Sequence, residues 1–206
     1  MKDRQPTELI FLLDKSGSMS GLESDTIGGF DSLIREQREK GIRALVTVVL
    51  FNEKSRVLFD RLPLDRVPPL TREEYAPRGN TALFDAVGST ILRLEKKQTA
   101  RPPHTLFVIT TDGMENASRE FSLSAVRRLI RKKRSEYWEF LFLGANFDAE
   151  SFGQALGLGA HRSVTFRNDR RGQRLNFQTL SHAVESYCQS PQIADDWDGD
   201  IRRRNK

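Results

Sequence analysis

The chain has 206 residues, with 33 Lys and Arg against 28 Asp and Glu, for a net charge of +5. That length supports one domain around one core. Apolar residues at 37% and charges of both signs at 30% exclude a disordered polyelectrolyte and describe a globular protein with a well-charged surface.

The N-terminal segment MKDRQPTELIF has no long apolar run behind its charges, so neither a signal peptide nor a membrane span is expected, and a cytoplasmic location follows. ELIFLLD (8–14) is a near-continuous apolar run, the pattern of a strand buried on both faces. Leu22, Ile27, Phe30, Leu33 and Ile34 recur at helical spacing over 21–40, and Gly41 stops that helix. RALVTVVLFN (43–52) is a second central strand, and SRVLFDRL (55–62) alternates like its hairpin partner or an edge strand. Residues 63–80 carry four prolines and form a long surface connection. A helix follows Thr81 to about Lys97, then a buried strand, TLFVITTD (105–112). FSLSAVRRLIRKKR (121–134) is helical, with Leu123, Val126, Leu129 and Ile130 on one face. WEFLFLGAN (138–146) is a strand, 148–159 a short helix with a glycine stop, 161–166 a last strand and 175–188 a last helix. The remainder shows no periodicity, so residues 1–190 are expected to form the domain and 191–206 a polar C-terminal tail. Cys188 is the sole cysteine, which excludes an internal disulfide.

Strands alternating with helices make an α/β fold with a mostly parallel sheet and helices on both faces. In such sheets ligands bind beyond the carboxyl ends of the strands, near a topological switch point. Asp14 and Asp112 end two buried strands, and Thr81 stands where a loop enters a helix. The stretch LLDKSGSMSG places Asp14, Ser16 and Ser18 at alternate positions. A turn requires the glycines, but it does not require an acid and two hydroxyls at that spacing. Together, Asp14, Ser16, Ser18, Thr81 and Asp112 offer only oxygen, which suits Mg²⁺, Mn²⁺ or Ca²⁺ rather than zinc or copper. Hydroxyl ligands with the acids behind water leave the metal electrophilic, with a position for one more anionic oxygen, for which a Glu or Asp of another protein is the natural donor.

DKSGSMS resembles the Asp-x-Ser-x-Ser signature of von Willebrand factor A domains. RGNTAL (78–83) resembles the second part of their metal-ion-dependent adhesion site, and TTDGMEN (111–117) the third, in matching order and separation. The resemblance covers about residues 1–190. It implies a Rossmann-like three-layer sandwich with one antiparallel edge strand, and a divalent metal, Mg²⁺ or else Mn²⁺ or Ca²⁺. It implies direct ligation by Ser16, Ser18 and Thr81, with Asp14 and Asp112 acting directly or through water. It also implies a protein partner that supplies a carboxylate, and for a bacterial intracellular member an adaptor or scaffold role.

Other readings of the same residues are a strand-end cap for Asp14, with serines as turn formers, and an N-cap for Thr81. Asp85 is expected to favour the helix N-terminus, and Glu115 and Asn116 to lie on the rim. GSMSG has methionine where a nucleophile elbow needs serine, and neither a P-loop nor a G-x-G-x-x-G is present. His104, His161 and His182 fall in unrelated contexts, so no enzyme is expected. A metal-dependent hydrolase is one alternative. A nucleic-acid binder using RRLIRKKR (127–134) is another, although such a run also fits the solvated end of a helix. DDWDGD (195–200) lacks the glycine and glutamate positions of a calcium loop.

Overall fold

A computed structural model describes residues 6–97, 104–159 and 161–205. The apolar runs form strands β1 (Thr7–Asp14), β2 (Ala44–Phe51), β3 (Ser55–Pro63), β4 (Thr105–Thr111), β5 (Trp138–Ala145) and β6 (Ser163–Phe166). Between them lie helices α1 (Glu23–Glu39), α2 (Leu83–Lys97), α3 (Leu123–Arg134), α4 (Ala149–Leu156), α5 (Arg170–Gln189) and α6 (Gly199–Asn205). The strands join in the order β3-β2-β1-β4-β5-β6. Every pairing is parallel except that of β3 with β2, so the alternating SRVLFDRL segment is the one antiparallel edge strand.

The continuous apolar runs are explained by burial on both faces. Odd positions of β1 (Leu9, Phe11, Leu13) meet Phe30, Leu33 and Ile34 of α1 and Phe177, Leu180 and Val184 of α5. Even positions (Ile10, Leu12) meet Leu83, Val87 and Ile91 of α2, Val126 and Ile130 of α3, and Leu156 of α4. This is the three-layer α/β sandwich expected from the alternation. Strand order reverses direction between β1 and β4, which makes their carboxyl ends the topological switch point. The two ends are level, with Leu13 paired to Thr110.

Three local expectations need correction. Residues 63–80 are more than a surface connection: Leu64, Val67, Leu70 and Tyr75 are buried. Buried backbone groups there are paired, with Asp31 Oδ1 accepting from Leu70 N at 2.9 Å and Arg38 Nη2 donating to Val67 O at 2.8 Å. Next, α5 begins five residues earlier than the apolar spacing indicates. Asp169 caps it, its Oδ1 accepting from Gly172 N at 2.7 Å, and a cap can start a helix in a polar run. Finally, the aperiodic tail contains α6, which docks through buried Ile201 while buried Asp198 pairs with Arg202 at 2.8 Å. One apolar residue per turn suffices to dock so short a helix, and it leaves no periodic signal. Among the described residues no helix is long and apolar enough to cross a membrane.

Candidate metal centre

The first loop is folded by its own acid. β1 ends at Asp14, whose Oδ1 accepts from Ser16 N at 2.7 Å, turning the chain so that Ser16 and Ser18 face one another, Oγ to Oγ 3.1 Å apart. Met19, buried in the core, anchors the 3₁₀ turn at 17–19. Gly17 N donates to Gly79 O at 2.9 Å and so fastens this loop to the second. Tyr75, fully buried, donates its hydroxyl to Asp14 O at 2.6 Å and supports the loop from below.

Thr81 is buried at the entrance to α2, and Asn116 clamps it. Asn116 Oδ1 accepts from Thr81 N at 2.9 Å, while Thr81 O accepts from Asn116 N at 3.0 Å. Glu115 braces the same junction. Its carboxylate accepts from Phe84 N, Ala117 N, Ser118 N and Ser118 Oγ, between 2.7 and 3.0 Å. Asp85 does not merely face the helix N-terminus. It accepts from the backbone N–H groups of Arg119, Glu120 and Phe121, at 2.8–2.9 Å. Glu115 and Asn116 lie at the rim as expected, half-buried and exposed, and also brace the loops, Glu115 through three backbone donors and Asn116 through Thr81 N, which sequence spacing does not reveal.

Asp112 follows β4. Its Oδ1 accepts from Ser18 Oγ at 2.6 Å and its Oδ2 from Asn168 Nδ2 at 2.6 Å. A methyl group built on Gly113 would lie 2.9 Å from Thr81 Oγ1, 3.4 Å from Ser18 Oγ and 3.7 Å from Ser16 Oγ. Three hydroxyls from two loops therefore converge beside Gly113 of the third, flanked by two carboxylates. All five expected residues come together at the switch point. Tyr75, Thr111 and Asn168 support them and carry no sequence signal beyond their hydrogen-bonding side chains.

Burial sets the electrostatics. It pushes the Asp14 carboxyl up from 3.8 to about 6, against the opposing hydrogen bonds from Thr111 and Ser16. Burial likewise raises Asp112, against the bonds from Ser18 and Asn168. Both carboxylates are thus short of positive charge, and no His, Cys, Asp or Glu cluster of three or more exists among the described residues. Oxygen-only donors converging beside Gly113, where no side chain intervenes, and two under-compensated acids fit a hard dication.

The metal-free protein is expected to lose stability as pH rises from about 4 to 6. Asp14 titrates near 6 when folded and near 3.8 when unfolded, so the folded state binds the extra proton in that window. At about 1.4 kcal/mol per unit the loss is roughly 3 kcal/mol. Denaturant melts in EDTA across that range check it, and a flat or rising profile would contradict the burial of this charge.

No family model matches the chain, and no curated protein matches it. Solved structures do. The proximal thread matrix protein 1 of the mussel byssus superposes with a TM-score of 0.61 at 14% identity, over 86% of this chain and 46% of that one. A von Willebrand factor type A protein from Catenulispora acidiphila gives 0.60 at 15%, over 87% of this chain and 42% of that one. The vWF domain of the type V pili tip protein Mfa5 from Porphyromonas gingivalis gives 0.63 at 9%, over 92% of this chain and 98% of that one. The chain spans less than half the length of the first two and nearly all of the third. At these identities the likeness shows a von Willebrand factor A-like fold.

Proposed function

We propose that the chain is a metal-dependent protein-interaction module. Ser16, Ser18 and Thr81 would hold Mg²⁺, or Mn²⁺ or Ca²⁺, with Asp14 and Asp112 beside or behind water. The bound cation would supply an electrophilic position for a Glu or Asp of a partner. The observation that carries this reading is the convergence of three hydroxyls and two buried carboxylates beside Gly113. Each residue has its own task. Asp14 shapes the first loop through Ser16 N, Asn116 fixes Thr81, and Asn168 orients Asp112. The neighbouring structures, with "vWF domain" and "von Willebrand factor type A" in their names, support an interaction role in kind. A non-catalytic role is part of the proposal. His104 and His161 precede β4 and β6, at the sheet edge opposite Asp112, and His182 lies within α5, which supports that reading. A cytoplasmic location, in a bacterium, is proposed with it.

Mg²⁺ and Mn²⁺ titrations test the reading by thermal shift and by the Mn²⁺ spin-resonance signal. Binding to the folded state alone adds about 2.7 kcal/mol at a hundredfold excess over Kd, so melting should rise with metal and return with EDTA. Gly113→Ala places a methyl where the hydroxyls converge. Thr81 is buried and must give way, so the fold should lose about 1–3 kcal/mol. The metal-induced shift should nevertheless disappear. An alanine variant that binds Mn²⁺ like the wild type would put the cation elsewhere.

A further inference from the structure

Three cations stand together on the β2–β3 side of the metal centre. Lys15 lies between Asp14 and Ser16 in the chain, its N–H donating to Phe51 O at 2.7 Å. Its carbonyl accepts from Arg78 N at 2.9 Å, and Arg78 O in turn accepts from Asn52 Nδ2 at 2.8 Å. Arg56 sits on β3 opposite Leu50, near the carboxyl end of β2. Arg56 and Arg78 are exposed and Lys15 is half-buried. Some arginines and lysines are paired, Arg93 and Lys97 with Asp60 for example, whereas these three have no ion pair among the described residues. One acid, Glu53, stands nearby; its Oε1 accepts from Asn80 Nδ2 at 2.9 Å and from N at 3.3 Å, bonds from neutral groups that leave its negative charge in place. On the β4 side Met114, next to Gly113 in the chain, is 61% exposed.

We propose that this cationic arc chooses the partner: the carboxylate that completes the metal belongs to an acid-rich peptide segment, whose further carboxylates lie over Lys15, Arg56 and Arg78. The proposal rests on the metal-centre reading and names the partner's chemistry. Three cations against one nearby acid leave a net positive charge on this side of the site, and an external anion is drawn to it. The arc also repels a dication, while the site itself offers only Asp14 and Asp112 against it. Metal and acidic segment are therefore coupled, because the segment's carboxylates neutralise the arc as one of them ligates the metal, and each ligand strengthens the other equally. A nucleic acid fits less well. Three cations make a short footprint, whereas strong phosphate-backbone binding draws on about 6–10 contacts. The exposed Met114 thioether offers an apolar contact to a peptide side chain beside the ligating acid.

Two synthetic peptides make the test, Gly-Glu-Glu-Asp-Glu-Gly and Gly-Gln-Gln-Asp-Gln-Gly, each with one aspartate and differing only in the charge of the flanks. Anisotropy titrations with labelled peptides in Mg²⁺ should give the acidic peptide an affinity about tenfold tighter at roughly 50 mM salt, narrowing as salt screens the arc. Mn²⁺ should bind more tightly in the presence of the acidic peptide. In the triple variant Lys15→Gln/Arg56→Gln/Arg78→Gln the preference should vanish, while Mn²⁺ alone binds as well as before or better. Equal affinity for both peptides, no binding of either, a preference that survives in the triple variant, or one that persists unchanged in EDTA would each overturn the proposal. Binding of a single-stranded oligonucleotide in preference to the acidic peptide would do the same. Mn²⁺ binding by the wild type without peptide, read by spin resonance, separates the two claims. If Mn²⁺ binds and the peptides do not discriminate, the arc fails and the metal centre stands. If Mn²⁺ binds neither alone nor with peptide, the metal centre fails and the arc with it.

Discussion

Asp14→Asn is expected to melt at a higher temperature than the wild type when neither holds metal, and to gain nothing from Mg²⁺. The carboxylate of Asp14 is 1% exposed and accepts two hydrogen bonds, from Ser16 N at 2.7 Å and from Thr111 Oγ1 at 2.5 Å. An asparagine keeps the volume and the acceptor for Ser16. Its amide can donate to Thr111 Oγ1, whose own proton then turns to Gly113 O, already 3.0 Å away. No polar group is orphaned, and a buried charge is removed. The gain at neutral pH is roughly 2–3 kcal/mol, from the upward displacement of Asp14. For a chain of this length that is about 5–10 °C. The same change removes one of the two charges that balance a dication, so the metal-induced shift should vanish. Paired thermal melts in EDTA and in saturating Mg²⁺ read both effects. An asparagine variant that is no more stable without metal and still responds to Mg²⁺ would sink both the electrostatic account and the site. Asp14→Ala is a poorer choice, since it leaves Ser16 N–H without its acceptor at about 1–3 kcal/mol.

Gly172→Ala should produce the largest loss of stability among single-methyl additions. Gly172 is in the first turn of α5, bonded through its N–H to the cap Asp169. An added Cβ would lie 1.8 Å from Arg167 O and 2.8 Å from its carbonyl carbon. That obstacle is backbone and cannot rotate away, so the first turn of α5 must move off the segment 167–169. Asn168 lies in that segment and donates to Asp112 Oδ2, so the change also loosens the brace of the third metal-site loop. A loss of roughly 3–5 kcal/mol is expected, or about 10 °C or more in melting. Gly28→Ala in α1 is the control. Nothing lies within 4 Å of its Cβ position, and alanine is the better helix former, so it should be neutral or stabilising by up to about 1 kcal/mol. Equal melting temperatures for the two variants would show that α5 does not start as described.

The two predictions share one cause. The centre is made of hydroxyls, amides and backbone groups that orient two acids without neutralising them. Hydrogen bonds from Thr111, Ser16, Ser18 and Asn168 oppose the burial of Asp14 and Asp112 but do not overcome it. Stability is thereby lost when the acids are ionised, and it is expected to return when a proton, or the proposed cation, arrives.

Much of this was already written along the chain. ELIFLLD, RALVTVVLFN, TLFVITTD and WEFLFLGAN are apolar without alternation, which requires strands covered on both faces and hence a parallel sheet between helix layers. Once the strands are in order, their ends place Asp14 and Asp112, and the sequence alone pointed to the five oxygen donors that the fold gathers. What it did not contain is long-range. The burial of Leu64, Leu70 and Tyr75 among prolines, the docking of α6, and the braces Asn116, Glu115 and Asn168 depend on partners far along the chain, such as Asn168 to Asp112, 56 residues apart, and Tyr75 to Asp14, 61 residues apart. Periodicity reports which face of an element is dry, because each element repeats its own geometry. A single polar side chain that crosses between loops repeats nothing, and only the packed sheet brings Lys15, Arg56 and Arg78 to one side of one site.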